Sequence, residues 1–179
     1  MIVSKFFKTF SVAAMICLSG LPFTGLAQAK PQLTDPEIAS VAVVANQIDM
    51  AYADIAIAKS RDTSILDFAR TMKRDHQAII DQAVALVTKL GVTPKDNAVS
   101  QSLLSGAEKT KQMLNSKSGK AFDKAYIDNE VAYHKAVIST VEGVLIPEAQ
   151  NAELKALLQK VVPLLKAHLS HAEMLQKNY

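Results

Sequence analysis

The chain has 179 residues, a formal net charge of +3, one cysteine, no tryptophan, six glycines and six prolines. Its length suits one domain with a real core, and the scarcity of glycine and proline fits an all-helical protein. No basic stripe interleaved with aromatic residues is present, so a nucleic-acid partner is not expected.

Met1 to Ala29 has the three parts of a secretory signal. Lys5 and Lys8 form the basic start, Ser11 to Phe23 an apolar core too short to span a bilayer comfortably, and Ala27-Gln28-Ala29 a small-x-small pattern cut before Lys30. An uncleaved membrane anchor is the alternative. Cys17 follows Met15-Ile16, whereas a lipobox needs a small residue immediately before the cysteine, so lipidation is not expected. Cleavage removes that cysteine, leaving no disulfide, thiolate ligand or cysteine nucleophile. The expectation is a periplasmic domain over residues 30–179, with acids and bases nearly balanced and no transmembrane segment after signal removal. Homo-oligomerisation and any protein partner stay open.

The first helix is predicted to start at Thr34-Asp35-Pro36-Glu37, a capping-box arrangement. Ile38, Val41, Ala45, Ile48, Tyr52 and Ile55 form its inward stripe, which assigns Asn46, Asp49, Asp54 and Lys59 to a solvated outer face. After Arg61-Asp62-Thr63 the second helix folds back, capped by Asp62 or Thr63. Ile65, Ala69, Met72, His76, Ile79, Ala83, Leu86 and Leu90 step by four and three along one seam to Gly91. Between Val92 and Lys120 the pattern weakens. Leu103, Leu104, Ala107, Met113 and Leu114 suggest one shorter helix that carries the chain back along the bundle, and its lysines suggest a solvated face.

The next helix is predicted from about Gly119 to Leu145, with Ile127, Val131, His134, Ile138, Val141 and Leu145 inward and Pro147 as its end. A last helix from about Asn151 to Lys177 presents Leu154, Leu158, Val161, Leu165, His168, Ala172 and Leu175, with Pro163 expected to bend it. The fold class is therefore all-α, an antiparallel four-helix bundle with a short extra crossover helix.

Three seams each carry one histidine, and an imidazole buried without a partner costs about 1–3 kcal/mol. At about 1.5 Å of rise per residue, His76 and His134 come out level, while His168 lies roughly 7–10 Å deeper, beside Glu130. The expected picture is a His76–His134 neighbourhood next to a Glu130–His168 polar pair. Three readings follow. One is a non-enzymatic bundle whose inner histidines fix packing and respond to pH. A second is a copper or zinc binder using His76, His134, His168 and Glu130, or a terminal site of His168, His171 and Met174. The third, a ferritin-like redox enzyme, is the weakest, because a di-iron bundle needs Glu-x-x-His on two helices and that spacing is absent. No nucleophile elbow, zinc-protease motif, phosphate loop or haem motif is present, so no catalytic residue is named.

Phe68-Ala69-Arg70-Thr71-Met72 leading to Asp75-His76, Ala121-Phe122-Asp123-Lys124-Ala125-Tyr126 leading to His134, and Pro163-Leu164-Leu165-Lys166-Ala167-His168-Leu169 resemble the three signatures of domain-of-unknown-function family 4142. The resemblance runs from about Asp35 to Gln176. It implies an exported ferritin-like bundle, places His76, His134 and His168 at the family's histidine positions, and supplies no activity. The chain departs from the family at Asn129, where histidine is frequent. Members are often labelled outer membrane proteins, but ten-residue alternating strands are absent, so a barrel is excluded and a soluble periplasmic protein is expected.

Overall fold

The computed structural model describes residues 32–179, and every regular element among them is helical. The proposed leader, residues 1–29, lies outside the described residues.

Helix α1 (Asp35–Lys59) begins where the Glu37 carboxylate accepts from the Thr34 amide at 2.9 Å and the Thr34 hydroxyl at 2.7 Å. Helix α2 (Thr63–Leu90) is capped by Asp62, whose side chain accepts from the Ser64 and Ile65 amides. It ends at Gly91, where φ is 63°, a left-handed conformation that a side chain would strain.

Helix α3 (Ala98–Asn115) is the crossover, and hydrogen bonds at both ends fix its direction. At its start the Asn97 side chain donates to the Glu37 carbonyl and the Lys95 amide to the Pro36 carbonyl. At its end the Lys59 ammonium donates to the Leu114 and Asn115 carbonyls. It therefore runs parallel to α1 and returns the chain to the end where α2 began. Helix α4 (Gly119–Thr140) starts there, with the Ser60 hydroxyl donating to Asp123 at 2.6 Å.

Beyond α4 the structure departs from expectation. A π-helical turn, Val141–Leu145, closes with the Ile146 amide on the Val141 carbonyl, and a short α5 (Ile146–Glu148) follows. Pro147 sits in the first turn of α5 rather than ending the run, because a first-turn proline has no intrahelical donor to lose. Helix α6 (Ala152–Gln176) starts beside α1, where the Asp35 carboxylate accepts from the Gln150 and Asn151 amides. It continues through Pro163 without a break.

Helices α1, α2, α6 and α4 form a four-sided bundle whose neighbours are antiparallel, and α3 packs on the outside of α1. By length and composition α1 could cross a membrane, with a mean hydropathy of 1.3 over its most apolar window. Here that apolarity is used differently: α2, α3 and α4 all pack against it, so it is buried over more than one stripe.

The core has two unlike halves. Toward the end where α1 meets α2 it is filled by Tyr52, Phe68, Phe122 and Tyr126, with Met72 and Ile127. The opposite half is aliphatic, built on Ile38, Val41, Ile79, Ile138, Leu154 and Leu165, with no aromatic residue among its buried members. Between the two halves lie the buried polar side chains.

Candidate metal centre

His76 on α2, His134 on α4 and His168 on α6 are 3%, 1% and 4% exposed. Their ring centroids form a nearly equilateral triangle: 5.6 Å from His76 to His134, 5.2 Å from His76 to His168, and 5.6 Å from His134 to His168. One nitrogen of each ring lies within 4.8 Å of the others.

This corrects the expected separation of His168 from the other two. The depth argument counted Cα positions, but each Cα–Cβ bond tilts toward its own helix N-terminus. Because α4 and α6 are antiparallel, the His134 side chain leans toward one end of the bundle and the His168 side chain toward the other. The two tilts are directed toward each other, and the register gap closes. The expected Glu130–His168 pair is not formed; His168 bonds Asp75 instead, and Glu130 faces Asp49 and His134.

Each ring has one nitrogen bonded and one free. The His76 Nδ1–H donates to Asn46 Oδ1 at 2.7 Å, and Asn46 is itself held by its amide donating to the Ala42 carbonyl. The His134 Nδ1–H donates to the Glu130 carbonyl at 3.0 Å. The His168 Nε2–H donates to Asp75 Oδ2 at 3.0 Å, and Arg74 holds the other Asp75 oxygen at 2.8 Å. These bonds set the tautomers, so His76 Nε2, His134 Nε2 and His168 Nδ1 carry lone pairs, and none of the three has a hydrogen-bond partner. A second-shell oxygen on each ring is the arrangement that orients metal-binding histidines.

Two carboxylates complete the cluster. Asp49 is fully buried, with Oδ1 3.4 Å from His76 Nε2 and Oδ2 3.7 Å from His134 Nε2. Glu130 is equally buried, with Oε2 3.6 Å from His134 Nδ1. All four carboxylate oxygens lack a donor. Burial pushes the Asp49 carboxyl up to about 8. Burial and the adjacent Asp49 charge push Glu130 well above the usual carboxylate range. Burial lowers all three imidazoles. His76 falls well below its usual value, helped by its two neighbouring rings; His134 falls to about 4; and His168 falls against the opposing pull of Asp75. At neutral pH the metal-free cluster is thus three neutral imidazoles and two protonated carboxyls.

The placement of Asp49 is a second correction. The sequence reading put it on the solvated face of α1, yet it lies four residues after Ala45 and three before Tyr52, both buried. That spacing was the available signal, and the wide burial of α1 is what turns it inward. Asn46 is half-buried rather than solvated. Asp54 does lie on the surface, paired with Lys73. Asp75, between His76 and the exposed Arg74, had no signal beyond its place in a motif.

The terminal alternative is not assembled. The His171 ring stands edge-on to Phe68 at 5.1 Å, and Met174 is 56% exposed. Neither joins the two clusters of potential ligands among the described residues, which are His76, His134 and His168, and Asp49, Glu130 and His134.

A cavity of about 150 Å³ adjoins the centre on its aliphatic side, with His76, His134, Asp49 and Asn46 in its lining. At about 24 cal/mol per Å³, leaving such a volume unfilled costs on the order of 3–4 kcal/mol.

Among solved structures, the chain is similar to CopM in the Cu(II)-bound form, with a TM-score of 0.62 and 14% sequence identity over 83% of this chain and 99% of that one. The likeness is one of fold. No curated protein matches. The model of the domain of unknown function DUF4142 matches residues 22–175, nearly the whole chain and all three histidine segments. The chain therefore belongs to the DUF4142 family.

Proposed function

We propose that this protein is an exported, non-enzymatic binder of one divalent transition-metal ion, copper(II) or zinc(II), acting in the periplasm. The ion is held by His76 Nε2, His134 Nε2 and His168 Nδ1, with Asp49 as the adjacent carboxylate. The observation that carries this reading is the set of three buried, correctly tautomerised ring nitrogens without partners. Histidines kept only to fix helix register would have both nitrogens satisfied, since an orphaned buried acceptor destabilises the fold. An imidazole-rich donor set suits copper and zinc, and the Cu(II) named for the similar fold favours trying copper first. The bound ion would supply positive charge that lets Asp49 ionise. No side chain at the centre has the arrangement of an activated nucleophile.

Calorimetric titration of metal-free protein with Cu(II) and Zn(II) tests this. One equivalent should bind, and His134→Ala should weaken it on the order of 100-fold or more. No heat with either metal rejects the proposal. Cellular fractionation tests the location: a product that begins at Lys30 and is released with the periplasm agrees with it.

A further inference from the structure

The cavity beside the histidine layer is not required for holding an ion. Its walls come from α1, α2, α4, the π-helical turn and α6, and they are aliphatic apart from the end formed by His76, His134, Asp49, Asn46 and Tyr133. Two features show how the space arises. Alanines occupy inward positions that elsewhere in the core hold larger side chains, Ala45 on α1 and Ala83 on α2 among them. The π-helical turn, whose Val141 and Leu145 line the space, interrupts regular packing beside it, and such turns often mark functional positions. The other half of the same bundle is closed by four large aromatic residues, so the openness is confined to one side of the histidines.

We propose that this cavity is a binding chamber for a small, uncharged, mainly apolar molecule carrying one hydrogen-bond donor, of about the size of phenol. A cavity of about 150 Å³ with purely apolar walls stays dry and admits benzene-sized guests. This one differs at its polar end, where His76 and His134 each have a ring nitrogen in need of a donor. A hydroxyl donates to such a nitrogen, whereas a hydrocarbon leaves it unpaired. A carboxylate is disfavoured, because it would meet Asp49 and Glu130 with no cation to balance it. The inference does not depend on the metal reading, and it is tested without metal.

Metal-free protein is titrated with phenol and with benzene by calorimetry and by methyl NMR. Phenol should bind about 3- to 10-fold more tightly than benzene, the ratio that one net hydrogen bond supplies. Ala83→Leu, which fills the chamber, should abolish binding of both while Cu(II) titration is unchanged. Should that variant fail to fold, Ala45→Val, a smaller addition on the facing helix, carries the same comparison. Equal affinities overturn the proposed polar end, and no binding of either overturns the chamber. Phenol binding that survives in a folded filled variant places the site elsewhere and also overturns it.

Discussion

The rings of His76 and His168 lie 5.2 Å apart, yet their bonded nitrogens are tied to different helices: His76 to Asn46 on α1 and His168 to Asp75 on α2. The two tethers aim the free nitrogens into the same space from opposite walls. The centre is thus held by the packing of four helices and not by any single motif.

The tethers should govern metal affinity without touching the ion. Asp75→Asn and Asn46→Ala are each expected to weaken Cu(II) or Zn(II) binding about 10- to 100-fold, with the helical content unchanged. Calorimetry alongside far-ultraviolet circular dichroism checks this; wild-type affinity in both variants would show that the rings are oriented by packing alone.

His171 and Met174 should be bystanders. Since His171 packs on Phe68 and Met174 faces solvent, His171→Ala and Met174→Ala are expected to leave metal affinity within about twofold, inside the range of surface substitutions. A large loss in either would restore the terminal site.

The metal-free protein should lose stability on both sides of a maximum near pH 6–6.5. Asp49 has a folded pKa of about 8, above its unfolded value, so its contribution is present in acid and fades as pH rises toward 8. Glu130 is shifted in the same direction. The histidines have lowered folded pKa values, so their contribution is present above about 6.5 and is lost as pH falls, through about 4 for His134. Between these limits the carboxyls partly offset the histidines, and the acid-side loss is the shallower one. From pH 6.5 to 8 the destabilisation should be about 1–2 kcal/mol, at roughly 1.4 kcal/mol per proton per pH unit. Urea unfolding at several pH values measures it, and Asp49→Asn should flatten the alkaline limb. A wild-type profile flat from pH 6.5 to 8 would mean that Asp49 is already ionised.

Metal binding should release protons and tighten with pH. An ion that draws on ionised Asp49 displaces its proton, so affinity should rise about tenfold per pH unit between 6.5 and 7.5 if one proton leaves. Calorimetry in buffers of different ionisation enthalpy counts that proton; a count of zero would remove Asp49 from the ligand set.

Phe68→Ala should cost about 3–5 kcal/mol, because Phe68 is wholly buried between Tyr126 and His171 in the aromatic half. Thermal unfolding checks it, and a cost below 1 kcal/mol would mean that this half can collapse around the gap.

The helices, their caps and the three inward histidines were legible from the chain because each depends on spacing along one helix. Ile65 to Ala83 reads as a seam whatever it packs against, and Asp62 and Gly91 act on the backbone beside them. The meeting of His168 with His76 and His134 was not legible, since it depends on side chains of antiparallel helices leaning toward one another. Asp49 was missed for a related reason: how wide a face of α1 is buried depends on α3 lying along it, and no spacing within α1 states that. Local periodicity therefore determined which side chains turn inward. Only the tertiary arrangement decided that three imidazoles and two carboxyls share one dry layer beside an unfilled space, because distances across a bundle are set by its neighbours.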